Sequence, residues 1–448
     1  MSKYKRYERY KDSGIEWIGE IPEHWEITKL KYICSESAVY GLNESAENYV
    51  EEGVRFIRTT DIDNKGNLDN SMGGVFLPEE KVKGYILKTG DLLVSRSGSL
   101  GTSLYFDEDK YGKCSYAGYL VKFRANSKNC PKFLFYFSKS NIFYIQIQLA
   151  LVSSTISNFN GNKYANMILP LPSYYEQKAI SNFLDQKTAE IDSLIADKEK
   201  LIELLQEKRQ AIITEAVTKG LNPNVRMKDS GIEWIGEIPE HWGVEPIKYL
   251  VKTIQTGTTP TTKNDDYFDG DIQWFTPGDF QGSKELYESS RKISNRAIID
   301  NEARLFPKNT VMIVGIGATV GKVAKLGIEG SFNQQITGLI VNEQRLNCDY
   351  LYYWLYINQE TIKNISNYTT LPIINNEFVK NFECLSLPLD EQQAIVNYLN
   401  QKTSEIDDLI LKIRLQIQKL KEYRQSLISE AVTGKIDVRE FGSISEVI

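Results

Sequence analysis

The chain holds only two histidines, His24 and His241. Each lies inside the same fifteen-letter stretch, KDSGIEWIGEIPEHW, at 11–25 and again at 228–242. Imidazoles placed identically in a repeated motif point to packing or a partner contact rather than to a general acid or base. Gly315, Gly317 and Gly321, followed by Lys322, suggest a phosphate loop. The spacing departs from G-x-x-x-x-G-K-[ST], however, and Val323 stands where that loop needs a hydroxyl. A tight turn accounts for these glycines more simply. Asp61, Asp63 and Asp69 could ligate a metal on paper, but a strand end followed by a polar turn explains them better. No G-x-S-x-G elbow occurs, and no Asn-Pro-Pro-aromatic sequence of the adenine methyltransferases. The expectation is a chain with no catalytic residue, no metal site and no cofactor of its own.

With 448 residues the chain is too long for one core and calls for two to four domains. Its net charge of -6 speaks against autonomous DNA binding unless positive charge is local or partners contribute it. Five cysteines, Cys34, Cys114, Cys130, Cys348 and Cys384, show no C-x-x-C spacing, which favours a reducing compartment over a disulfide framework. The opening MSKYKRYERY has no apolar core, and no apolar run is long enough to span a membrane. A cytoplasmic protein is expected. The many tyrosines read first as buried rings of β-rich domains.

The elements that position any site come in two copies. EQKAISNFLDQKTAEIDSLI (176–195) matches EQQAIVNYLNQKTSEIDDLI (391–410) at 14 of 20 positions, and each copy runs on to EAVT. Between the shared motifs lie variable regions at about 26–170 and 243–386 that share only a sketch. Each has a short strand ending in Asp, RFIRTTDI and IQWFTPGDF. Each then has an apolar strand with glycines, TGDLLVSRSGSLGTSLYF and KNTVMIVGIGATVGKVAKL. An aromatic helical stretch follows, and a proline-punctuated run closes the region. Such strands bounded by Gly, Asn and Asp indicate mixed α+β domains.

The shared helices carry a heptad seam. In the first copy it is read through Ile180, Leu184, Ile191, Leu194, Leu201 and Leu205. In the second it is read through Ile395, Leu399, Ile406, Leu409, Ile413, Gln416, Leu420 and Tyr423. Roughly 42 residues give a helix of about 60 Å. The cheapest partner for each seam is the other copy, so the fold expected is two α+β domains separated by two long antiparallel helices. These form an intramolecular coiled coil with a pseudo-two-fold repeat. The boundaries read as 1–170, 171–220, 221–386 and 387–448.

In this order, SGIEWIGEIPEHW and the EQxAI helix starts, each present twice, with DGDIQWFTPGDF, GIGATVGK and FNQQITGLIV in the second half, resemble the specificity subunits of type I restriction–modification systems, over nearly the whole chain. The resemblance implies that each variable domain is a target-recognition domain for one half of a split double-stranded DNA site, and that the helices set the gap. It implies two methyltransferase subunits docked on the helical regions, using S-adenosylmethionine. It also implies two motor-nuclease subunits, with ATP and magnesium on the partners. The tidy GIGATVGK contrasts with SRSGSLGTS in the first half, so carry-over is less direct there.

DNA recognition needs donors for phosphate and forked donors for base edges. In the first domain the candidates are Arg55, Arg58, Thr59, Thr60, Arg96 and Ser97. In the second they are Thr258, Thr259, Thr261, Thr262, Lys263, Thr276, Lys322 and Gln334, with Tyr368, Thr369 and Thr370 before the last proline-rich run.

Overall fold

The computed structural model describes residues 4–69, 73–152, 159–366 and 373–442. Two compact units divide the chain: residues 1–199 with 414–448, and residues 200–413. This division differs from the boundaries expected from sequence. Each unit takes a variable domain together with part of both long helices, because the helices are structural elements of the cores they pass.

Both units repeat one topology. The first has a sheet ordered Cys34–Tyr40, Leu120–Ala125, Asp91–Ser95, Ser103–Tyr105, antiparallel throughout. The second has Val251–Thr256, Ile336–Val341, Val311–Val314 and Val323–Leu326 in the same order and sense, extended by the parallel strand Glu285–Leu286. A smaller sheet stands beside each. Val54–Ile57 lies between antiparallel Phe76–Leu77 and parallel Cys114–Tyr116. Ile272–Phe275 lies likewise between Lys292–Ile293 and Ser331–Phe332. The short strand ending in Asp and the apolar strand with glycines are therefore equivalent parts in the two halves.

The aromatic stretches form helices Pro131–Ser138 and Asn141–Val152 in one unit, and Cys348–Ile357 and Gln359–Ser366 in the other. Their rings are core. Tyr350, Tyr353 and Trp354 are nearly inaccessible, as are Phe133 and Phe137. The tyrosine and indole polar ends are spent internally: Tyr350 donates to the Val217 carbonyl at 2.9 Å and Trp354 to that of Glu383 at 3.0 Å. The proline-punctuated runs become strands Ile168–Leu171 and Glu383–Ser386, paired with Glu26–Lys29 and Gly243–Pro246.

From these strands the long helices start, Tyr174–Lys219 and Leu389–Val432. No Gly or Pro interrupts either. In the first unit they run antiparallel, with Asp192 against Arg424 at 3.2 Å and Lys198 Nζ on Gln416 at 2.7 Å. In the second unit the equivalent ion pair joins Arg209 to Asp407 at 3.0 Å. Ile213, Ala216 and Val217 share a core there with Ile395, Val396 and Leu399.

The seam needs one correction. Ile180, Leu184, Ile191, Ile395, Leu399, Ile406 and Ile413 are buried, and Leu205 and Leu420 half-buried. Leu194, Leu201 and Leu409, however, are 49, 43 and 43 % exposed. Gln416 and Tyr423 are exposed too. The buried residues are the next ones along: Ile195, Ile410 and Ile417, with Ile202 half-buried and Arg424 in the ion pair. Where two apolar residues adjoin, as at Leu194–Ile195, the 3-4 and 4-3 phases of a heptad fit the pattern equally well. Packing against the facing helix selects one of them.

Candidate nucleic-acid interface

Each long helix begins under the repeated motif. Glu176 accepts from His24 Nε2 at 2.8 Å and from Trp25 Nε1 at 3.3 Å. Glu391 receives His241 at 2.8 Å and Trp242 at 3.0 Å in the same way. The two histidines are thus packing residues that tie a motif to a helix start. Burial opposes ionisation of Glu176, but hydrogen bonds from His24, Ser173 and Trp25 outweigh it and hold the carboxyl below its ordinary range.

At one end of each β-domain four loops converge, and the backbone hydrogen bonds that join them are the same in both halves. In the first, Leu42 donates to Tyr116, Ala117 to Ile57, Arg96 to Tyr119 and Phe159 to Arg96. In the second, Thr258 donates to Phe332, Asn333 to Phe275, Gly315 to Gln335 and Ile374 to Gly315. These bonds align the halves where their sequences do not. Arg58 corresponds to Thr276, Arg96 to Gly315, Gly118 to Gln334, Tyr119 to Gln335 and Asn43 to Thr259. The two glycine runs are one turn: Ser95 bonds Thr102 as Val314 bonds Lys322, and Gly98 and Gly317 both have positive φ, 70° and 100°. Close approach also dictates one residue type. A Cβ at Gly41 would lie 2.3 Å from the Ala117 carbonyl oxygen, and one at Gly257 2.1 Å from that of Phe332.

Side chains decorate this common frame differently. In the first domain Arg96 donates through Nε to the Gly118 carbonyl at 2.9 Å. Its guanidinium sits 5.1 Å from the Tyr40 ring and 5.8 Å from that of Tyr119. Tyr119 is 57 % and Tyr40 41 % exposed, the Tyr40 hydroxyl accepting the Gly161 amide at 2.8 Å. Ser97 is half-buried in the same turn. Arg58 is committed elsewhere: its Nε and Nη2 fork onto Asp61, at 3.2 and 2.7 Å, and Asp61 is buried. Thr59 is half-buried and Thr60 exposed on the same short turn. Arg55 lies on the strand behind it, with Nη2 3.5 Å from the Asp69 carbonyl. Two of the three aspartates serve this turn through their carboxylates, Asp61 by pairing with Arg58 and Asp63 by accepting the Asn67 amide at 2.7 Å.

The second domain decorates the same frame with hydroxyls and amides, and Gly315 stands where the first has Arg96 and Gln335 where it has Tyr119. Thr259 donates to the exposed Gln334 side chain. Thr258 accepts from the Arg304 amide at 3.1 Å and, through its carbonyl, from Trp274 Nε1 at 3.0 Å. Thr276 is bound to Asp279 through both its amide and its hydroxyl, at 2.7 and 2.9 Å. Burial raises the Asp279 carboxyl, but donors from Ser290 and Thr276 overcome this and leave it below the ordinary range. Lys322 is exposed and reaches the Phe280 carbonyl at 3.3 Å. Thr261, Thr262 and Lys263 are exposed on the adjoining loop. Tyr368, Thr369 and Thr370 lie outside the described residues.

Sequence reasoning missed Tyr40, Asn43, Tyr119 and Arg304. The signal for Tyr119 was available: CSYAGYLVKF has the strand–bend–strand layout of SFNQQITGLI, but the two share too few letters to be aligned without the hydrogen bonds.

The profile described as Type I restriction modification DNA specificity domain matches residues 22–204 and 239–419. The chain is 26 % identical to the MjaX specificity subunit of Methanocaldococcus jannaschii over 443 residues, 94 % of this chain and 96 % of the relative. It is 22 % identical to the EcoBI specificity subunit of Escherichia coli over 459 residues, 95 % of this chain and 89 % of that one. A solved chain from a type I R-M system superposes with TM-score 0.72 at 16 % identity, covering 92 % of this chain and 98 % of its own. The HsdS subunit of Thermoanaerobacter tengcongensis gives 0.54 at 16 % identity, covering 93 % and 98 %. With two profile matches spanning most of its length, the chain belongs to the type I restriction–modification DNA specificity family.

Proposed function

We propose that each β-domain reads one half of a bipartite DNA site through its loop cluster, and that the paired helices set the number of base pairs between the halves. As a member of its family the chain is a recognition subunit and not a catalytic one. The observation that carries the reading is the shared frame with exchanged side chains. At matching positions one backbone arrangement carries Arg96, Tyr40 and Tyr119 in the first half, and Gly315, Thr256 and Gln335 in the second, with Thr259 and Gln334 beside them. A scaffold that only held partners would have no use for such divergence. A reader of two unrelated half-sites requires it, since Arg suits guanine edges and amides suit adenine.

Two methyltransferase subunits would dock on the helical regions and methylate adenine with S-adenosylmethionine. Two motor-nuclease subunits would add ATP- and magnesium-dependent cleavage, in the cytoplasm. Replacing residues 243–386 by a second copy of 26–170 tests the core of this. Methylated sites mapped by sequencing should then carry the first half-site twice, in inverted orientation. Retention of the original second half-site would refute the assignment.

A further inference from the structure

Because the chain is a duplication, each half shows what the other could hold. At the start of the first long helix, Glu176, Ala179 and Phe183 are buried, Phe183 to 1 % exposure. Of their counterparts on the second helix, Glu391 is half-buried while Ala394 and Tyr398 lie open, with Tyr398 37 % exposed. The helix sequence is otherwise nearly unchanged, so the difference lies in what covers it.

The cover in the first half is the chain's own terminal segments. The Tyr7 ring packs 5.7 Å from His24 and 5.8 Å from Trp25. Tyr4 and Phe441 stand edge-on to Phe183 at 5.1 and 4.9 Å. The Arg439 guanidinium lies 4.9 Å over Tyr7, and Arg6 pairs with Glu20 at 3.8 Å. In the second half the short link 221–226 takes the place of both segments, and Leu221 to Asn224 are exposed. It leaves two adjoining hollows of about 270 and 630 Å³ over His241, Glu391 and Tyr398. Glu237, the counterpart of Glu20, lines the larger hollow with Glu215; Lys219 lines both hollows, and no ion pair to Glu237 or Glu215 occurs among the described residues. The exchange of Phe183 for Tyr398 suits a ring that must stand in water part of the time.

We infer that this groove is the docking site for an extended segment of a partner polypeptide, carrying aromatic rings and an interleaved basic residue. The segment gives the second half what residues 4–7 and 435–441 give the first: rings over His241 and Tyr398, and a cation toward Glu237. The inference is independent of the DNA-reading proposal and needs no DNA in its test.

The probe is a fluorescent peptide of residues 4–10, YKRYERY, titrated into the full chain and followed by anisotropy. Saturable binding of one peptide per chain is expected. Tyr398→Ala and Glu237→Lys, each checked for folding by circular dichroism, should weaken it by about tenfold or more, the scale of one lost aromatic or charged contact. A peptide with its tyrosines changed to alanine should not bind. Absence of saturable binding, or binding indifferent to both substitutions, overturns the inference. So does self-association of the full chain that the free peptide competes away, since the occupant would then be a second copy.

Discussion

Arg96→Lys separates base reading from phosphate holding in the first domain. Lysine keeps the positive charge and enough stem to stay near Tyr40 and Tyr119, but it has no planar fork. The native guanidinium spends Nε on the Gly118 carbonyl, and no acceptor for its two Nη groups occurs among the described residues. Those groups are what a guanine edge would take, at about 1–3 kcal/mol, so the variant should discriminate its base about 5- to 150-fold less well. The folded state should change little, because exposed cation–π contacts contribute only about 0.5–1 kcal/mol and lysine retains part of that. The assay measures binding of the chain with the methyltransferase subunit proposed to join it at one salt concentration, to duplexes permuted at each position of both proposed half-sites. Relaxed preference at one position of the first half-site is expected. Uniform weakening of all duplexes would make Arg96 a phosphate contact, and an effect in the second half-site would refute the assignment of this domain. Arg58→Ala should behave differently. It strips the fork from buried Asp61 and should cost about 1–3 kcal/mol of stability, read as a lowered Tm, before any effect on base preference.

Other outcomes follow from the same structure. Inserting four residues near Lys198 lengthens its helix by roughly 6 Å, so the gap between methylated half-sites should grow by about one or two base pairs while the half-sites stay the same. An unchanged gap would leave the helices as a docking surface only. The chain alone, at net charge -6, should bind DNA weakly at physiological salt and tighten with its partners; tight, specific binding by the isolated chain in a shift assay would contradict this. Its hydrogen bonds hold the folded-state pKa of Glu176 below the ordinary glutamate value of 4.5. Its stabilisation is therefore complete above that value and lost as pH falls through the lower, folded one. Calorimetry should show the Tm difference between wild type and Glu176→Gln shrinking on acidification below about pH 4.5, and a constant difference would show that His24 and Trp25 do not hold the carboxylate.

Repeats and periodicity were enough to reveal the duplication, the long uninterrupted helices and the succession of similar segments in each half, because each leaves a local mark: a repeated motif, a 3-4 spacing, a glycine turn. The phase of the helix seam at Leu194–Ile195 and Leu409–Ile410 left no such mark, since both neighbours are apolar and only the facing helix chooses between them. The candidate loops were legible as polar, Gly-rich segments but not as matched pairs. Arg58 and Arg96 look alike in the chain, yet one folds onto Asp61 and the other opens between two exposed tyrosines. Which of the two stays available depends on a carboxylate three residues away in one case and on strands far apart in sequence in the other. The cover on Phe183 and its absence on Tyr398 were likewise a tertiary outcome. Equivalent helix positions are buried or exposed according to whether distant segments, here residues near Tyr4 and Phe441, pack against them.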